Sequence, residues 1–377
     1  MVAEQGVSCQ LMTEEEVVSN EETAELLEKI SSCAAEAAGV LPQVIVTRQR
    51  EITLYTFTLT AVQMMQLCRV ERFGESDNGV NRKFHSNHAW RIAEAMLQPS
   101  TTFATNPVGA LIGNWQFEDG RLTYGPGDYI TLDDGQHRRA ALEILNETER
   151  ERWEFIVTVT QGVPYSTRLR LFLQQTKGRS VDARLKLAMQ AEIGDWNSEA
   201  EKLAYQLCRE LNTDPRSPLK GMILMSETEV RPYESKHRPS GINVKGLHTT
   251  FTSMLSKRSP LSQLSSEKRL EVIKNVVRAA NAVWPTSWAS SKHVLTTAKG
   301  INAVCKLIVV GRSFRAAVGS DFSYENLVRV LTYAQSFNWT AKRAIHETER
   351  AMTERLDTAI YRGQERATQA MQNISVE

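Results

Sequence analysis

Asp133-Asp134-Gly135-Gln136-His137-Arg138-Arg139-Ala140-Ala141 decides how this chain is read. Just before it, Tyr129-Ile130-Thr131-Leu132 is rich in β-branched and aromatic residues and predicts a short strand. Just after it, Ala140 to Leu145 has the apolar spacing of a helix packed on one side. The expectation is a strand, a tight acidic-Gly turn, and a helix whose first turn carries Gln, His and two Arg. A helix N-terminus exposes unpaired N–H groups and the positive end of the macrodipole, so anions settle there. Gly135 lets backbone approach a ligand closely. Arg138 and Arg139 oppose the local dipole, which makes sense if a phosphate-rich anion lies between them. A plainer reading of the same residues is a structural turn in which Asp134 caps a helix.

Upstream, Val44–Thr47 and Ile52–Thr60 predict a strand pair, and Thr60 caps a helix from Ala61 to about Val70. His88 to Leu97 predicts a helix ended by Pro99, and Val108 to Trp115 a strand. Glu118-Asp119-Gly120 is a hairpin turn. Downstream, Phe155–Val159 alternates as a strand, and Ser166 caps a helix through Arg168, Leu171, Phe172 and Gln175. Strands interleaved with helices make residues 41–190 an α/β (α+β) domain with a mixed sheet. Beyond Leu185 strand signals fade. Helical patterns recur at 196–211, 265–284, 293–316, 324–336 and 341–370, and Pro215, Pro218, Pro232 and Pro239 mark a loop between about 213 and 245. Residues 191–377 are expected to form a mainly helical domain. Residues 1–40, with helix starts at Thr13 and Asn20, are expected to be a peripheral acidic helical arm.

A chain of 377 residues is long enough for two domains, and 41% hydrophobic with 24% charged residues is an ordinary globular composition. No apolar run reaches the roughly 18 residues of a membrane span, and the N-terminus lacks a basic-then-apolar leader. A cytoplasmic protein without membrane contact is the expectation. Cys9, Cys33, Cys68, Cys208 and Cys305 are odd in number and far apart, without zinc spacing, so they are expected as reduced thiols. The net charge of +1 conceals a segregation. Residues 1–40 hold nine Glu and one Lys, and residues 231–320 hold fifteen Lys and Arg against three Glu. A basic half points to DNA as a partner; a solvated helical face is the alternative. In that basic half, Trp284 and Trp288 read either as buried core or as stacking surfaces for bases. The acidic arm reads as a cover for the basic face, a dock for a partner protein, or a tail.

Asp134-Gly135-Gln136-His137-Arg138 resembles the signature of the DGQHR-domain family, whose members include DndB-like proteins of DNA-modification gene clusters. That family is similar in turn to the ParB/sulfiredoxin fold, in which a turn at a helix start binds nucleotide phosphates. The resemblance covers mainly residues 41–180. Asn81-Arg82 stands where the family has a Gln-Arg, and Gln175-Thr176 where it has an Asn. It implies ATP as ligand, DNA and other proteins of the modification cluster as partners, and a ParB/sulfiredoxin-like domain ahead of the helical one; a homo-oligomer is also open. The implied activity is ATP binding with hydrolysis in aid of phosphorothioate or modified-base insertion; the alternative is a non-enzymatic DNA-binding regulator. A nuclease ranks last, for want of an acidic cluster.

The candidate nucleotide ligands are therefore Gly135, Gln136, His137, Arg138, Arg139 and Arg82, the last open also to a surface salt bridge. His137 donates to a phosphate or satisfies a local hydrogen bond. Asp133 and Asp134 are the candidate holders of Mg²⁺, since that ion takes one or two carboxylates beside substrate phosphates. Asp134 and His137 are the catalytic candidates. Gln136 occupies the position where sulfiredoxin chemistry needs a Cys, so thiol catalysis is not expected, and no GxxxxGK[ST] pattern occurs, so a P-loop is absent.

Overall fold

Strand, turn and helix follow one another at residues 129–144 in the predicted order, joined through Gly135. The computed structural model describes residues 20–103, 105–175, 181–226, 241–288, 290, 292–340 and 347–374. It divides into the units Met1–Arg179 and Ser180–Glu377, each with its own apolar core.

The first unit begins with α1 (Asn20–Ser32), whose first turn carries Glu21 and Glu22 at the positive end of the dipole. Then come β1 (Gly39–Leu41), β2 (Ile45–Gln49), β3 (Ile52–Thr60), α2 (Ala61–Leu67), β4 (Cys68–Val70) and α3 (Ser86–Met96). They are followed by β5 (Val108–Ile112), β6 (Gln116–Glu118), β7 (Arg121–Tyr124), β8 (Tyr129–Asp134), α4 (Gln136–Ile144), α5 (Glu147–Arg150), β9 (Glu154–Gln161) and α6 (Tyr165–Gln175). Six strands form a mixed sheet in the order β2-β3-β9-β5-β8-β4, and β1-β7-β6 form a small antiparallel sheet. In the large sheet β9/β5 and β8/β4 are parallel and the other neighbours antiparallel. The α/β class with a mixed sheet is thus as expected, and Thr60 caps α2 as expected, here in a capping box with Gln63. The hairpin between β6 and β7 turns at Asp119 and Gly120, both at positive φ.

Alternation along β8 assigns its side chains to two faces. Ile130 and Leu132 are fully buried in the cluster that also holds Met64, Leu67, Ala140, Ala141 and Leu142 from α2 and α4. Thr131 and Asp133 point the other way, and Asp133 meets Arg168 of α6. Around α4 gather α1, α2 and α3. Leu26 and Ile30 of α1 lie in the same core, each such burial contributing roughly 1.5–3 kcal/mol. The expected peripheral arm is therefore corrected: from Asn20 onward it is part of the α/β unit, while Thr13 lies outside the described residues.

The second unit is helical: α7 (Ala183–Ile193), α8 (Glu199–Thr213), a two-strand bridge of β10 (Ile223–Leu224) and β11 (Ile242–Asn243), then α9 (Val244–Leu255), α10 (Ser266–Val283), α11 (Pro285–Trp288), α12 (Ala298–Val310), α13 (Arg312–Val318), α14 (Tyr324–Thr332) and the C-terminal helix Glu349–Ile374. The boundary differs from the expected 190. Helix α7 packs on α8 and α9 and places Leu187 in the helical core, so the division falls before it. Helix α9 lies where no helical pattern had been read; Asn243 caps it, and Leu247, Phe251 and Met254 are fully buried. The expected helix 293–316 is two helices, because Thr297 caps α12 and Gly311 ends it. Trp284 and Trp288 are core residues: their indole N–H groups donate to Gln335 O at 3.1 Å and Pro218 O at 3.2 Å. Of the two readings of this pair, buried core is the one borne out.

Candidate functional site

Gly135 turns the chain at φ +107°, a left-handed conformation, and a Cβ there would lie 3.1 Å from Pro107 Cβ. The turn fans the next four side chains in different directions. Asp134 closes it with Oδ1, which accepts the Gly135 N–H at 2.8 Å. Gln136 is buried, and its Oε1 has no hydrogen-bond partner among the described residues.

His137 reaches α3. Its Nε2 accepts the backbone N–H of His85 at 3.3 Å, and its ring stacks on Phe84 with centroids 5.3 Å apart. His88 meets the same ring edge-on at 4.6 Å. His85 is the N-cap of α3, so the N-termini of α3 and α4 converge on this contact. Neither helix has a side-chain cap or an acidic residue in its first turn. By contrast α2, α5, α7, α8, α9, α10, α12 and α14 all have a side-chain oxygen accepting from the first turn. Two positive helix ends thus meet, with the Asp134 carboxylate on the Gly135 N–H at the entry to α4.

The side chains that act on the two imidazoles here push in one direction. Burial pushes His137 down to about 3, and His88, Arg82 and His85 push in the same direction. Burial also lowers His88, helped by Arg82, Arg91 and His85. With a lowered pKa and an Nε2 that accepts a hydrogen bond, His137 is a neutral imidazole protonated on Nδ1.

Arg138 donates Nη1 to Thr105 O and lies over the Phe103 ring at 5.8 Å. Arg139 turns the opposite way and is only 1% exposed. Its Nε donates to Cys68 O at 3.1 Å, Nη2 to Met65 O at 2.8 Å and Nη1 to Glu143 Oε1 at 2.7 Å. It therefore satisfies the last carbonyls of α2 at the negative end of that dipole. The expected pair of phosphate-binding arginines is corrected: Arg139 is a core residue, because residues 138 and 139 lie about 100° apart around a helix.

The expected Mg²⁺ ligands do not fit together either. Adjacent strand residues point to opposite faces, and Asp133 is spent on Arg168 in a buried ion pair. Burial pushes the Asp133 carboxyl up and the Arg168 guanidinium opposes it. Asp134 is turned to its own loop. Arg82 does sit with the cluster, as its field at His88 and His137 shows. His85, His88 and Arg91 were missed by sequence reasoning. The readable signal was Arg82, Lys83, His85, His88 and Arg91 within ten residues without a single Asp or Glu.

No family model, curated protein or solved structure matches the chain, so what is said of this site rests on its own residues.

Proposed function

We propose that this protein is an ATP-binding and DNA-binding component of a bacterial DNA-modification system, the nucleotide phosphates lying where α3 and α4 begin. One observation carries the reading: two helix N-termini without side-chain caps meet where Arg82, His85 and Arg91 surround the imidazoles of His88 and His137. An anion at one helix N-terminus gains roughly 0.3–1 kcal/mol, and up to about 2 where partly buried. Gln136, the first residue of α4, is buried with an amide oxygen that has no partner among the described residues. Bound Mg²⁺ would shield the phosphate charges; Asp133 and Asp134, engaged separately by Arg168 and Gly135, form no pair to hold it alone.

Within this proposal the non-enzymatic, DndB-like regulator is favoured over an ATPase. Asp133 is engaged by Arg168, Asp134 Oδ1 by Gly135, and His137 Nε2 by His85, so each candidate base already holds a partner. Calorimetric titration of the full chain with ATP tests the reading. Saturable binding is expected, and Arg82→Ala should weaken it about tenfold or more, the loss of a charge-assisted contact worth roughly 1.5–3 kcal/mol. Absence of binding at low salt, or an Arg82→Ala affinity equal to that of the parent, would refute it.

A further inference from the structure

We propose that Cys33 and Cys68 are a reversible thiol modification site: a peroxide oxidises Cys33, and Cys68 closes on it as a disulfide that fastens α1 to the edge of the large sheet. The inference is independent of the nucleotide reading. Cys33 follows directly on α1, and Cys68 is both the C-cap of α2 and the first residue of the edge strand β4. Two reciprocal contacts hold their segments together. Cys33 Sγ donates to Cys68 O at 2.9 Å, and Arg69 Nε donates back to Cys33 O at 3.0 Å. A carbonyl oxygen lies about 2.4 Å from its own Cα, so the Cys33 sulfur is within about 5.3 Å of the Cys68 Cα. Closing the bond then calls for a side-chain rotation and a small backbone shift, with no element leaving its place.

The surroundings divide the roles. Cys33 is partly open to solvent and Cys68 is fully buried, so an oxidant in solution meets Cys33 first. Burial pushes the Cys33 thiol up, and the guanidiniums of Arg139 and Arg69 oppose it by favouring the thiolate. Burial raises Cys68 too, and Cys33 adds to that rise, as only a near neighbour does. Cys208 and Cys305 differ. Both are fully buried in the helical core, where burial raises Cys208 and pushes Cys305 up to about 12. Thiols so placed are inert.

The chemistry runs in two steps. The Cys33 thiolate attacks one peroxide oxygen; the S–O bond forms, the O–O bond breaks and hydroxide leaves. Cys33 is now a sulfenic acid and the peroxide is reduced. The Cys68 sulfur then attacks the Cys33 sulfur; the S–S bond forms, the S–O bond breaks, and the departing hydroxide takes the Cys68 proton as water. Two thiols and one hydrogen peroxide thus give one disulfide and two waters. The new bond takes Cys33 Sγ off Cys68 O and leaves that carbonyl to Arg139 Nε at 3.1 Å. It also ties the end of α1, whose Leu26 and Ile30 lie in the α/β core, to β4. A crosslink across this interval restricts the unfolded chain, so the oxidised protein resists denaturant better.

The test treats the folded full chain with hydrogen peroxide, blocks remaining thiols in acid, and digests with trypsin without reductant. Lys29, Arg48, Arg50 and Arg69 put the two cysteines in separate peptides, 30–48 and 51–69. Mass spectrometry is expected to find these two joined, and dithiothreitol to part them. The denaturant midpoint should rise on oxidation and fall back when the same sample is reduced. Cys68→Ala should stop at a Cys33 sulfenic acid that dimedone captures, and Cys33→Ser should leave Cys68 a free thiol with no rise in midpoint. If Cys68→Ala does not fold, Cys33→Ser decides alone. Cys33 left unlinked at excess peroxide in folded protein overturns the proposal, and so does a link that forms only in urea. A bond from Cys33 to Cys9, seen as peptide 1–29 joined to 30–48, or to a second chain overturns it equally.

Discussion

Arg138 and Arg139 are neighbours, both buried but turned to different partners, and the difference lies in where a helix turns each side chain. Arg139 is taken into the core, where two backbone carbonyls and Glu143 use its donors. A guanidinium so placed is costly to bury and costlier to remove, because its partners are left unsatisfied. Replacing it by Met keeps the volume and strands the carbonyls of Met65 and Cys68 together with Glu143. Arg139→Met is therefore expected to lower unfolding stability by about 3–5 kcal/mol, read from denaturant midpoints. A drop below about 1 kcal/mol would show the contacts to be incidental. Sequence alone registered that two arginines opposed a helix dipole. What it lacked was the neighbouring helix end, since Met65 and Cys68 are distant in sequence and only the fold brings them to Arg139.

At the scale of elements, the strand, turn and helix around Gly135 were legible because each carries local chemistry: alternation in β8, a glycine, then helical spacing. Helix starts were legible for the same reason, as at Thr60 and Asn20. Helix α9 escaped because it follows a proline-rich stretch and mixes Gly246, Thr249, Thr250 and Thr252 with its apolar residues, weak helix formers that only burial of Leu247, Phe251 and Met254 overrides. The candidate site was half legible. Its α4 side follows from the motif, whereas its α3 side depends on how two helices pack, which no local pattern encodes. Gly135 is the hinge of the arrangement. An L side chain at φ +107° is strained, and its Cβ would press on Pro107. Gly135→Ala should cost on the order of 1–2 kcal/mol and displace the first turn of α4. ATP affinity measured under conditions where the variant is fully folded should fall by tenfold or more. Unchanged affinity would mean that the α4 N-terminus does not touch the ligand.

Charge is the property that belongs to the whole molecule. Residues 180–377 contain twenty-eight Lys and Arg against twenty Asp and Glu, so the helical unit is net positive and the α/β unit net negative. The fold trims the basic excess that the sequence shows over residues 231–320. Lys274 pairs with Glu210 and Lys306 with Glu349, both acids from outside that stretch. Arg269 donates to Leu264 O at 3.1 Å and Leu255 O at 2.8 Å, and Lys299 to Glu347 O at 2.8 Å. These groups are engaged before any phosphate arrives. Lys257 and Arg258, exposed just past α9, are better placed to contact DNA. Each phosphate neutralised contributes about 0.9 to the slope of log affinity against log salt. On the proposed reading, full-length protein binds duplex DNA without regard to sequence, and its affinity falls steeply with salt. The double substitution Lys257→Gln, Arg258→Gln leaves two phosphates without their cations and is expected to reduce that slope by about 1.8, while Lys306→Gln leaves it unchanged. Filter binding or anisotropy over a salt series measures both. A slope that ignores Lys257 and Arg258 moves the interface elsewhere on the chain, and no binding at low salt reduces the basic excess to a solvated helical surface.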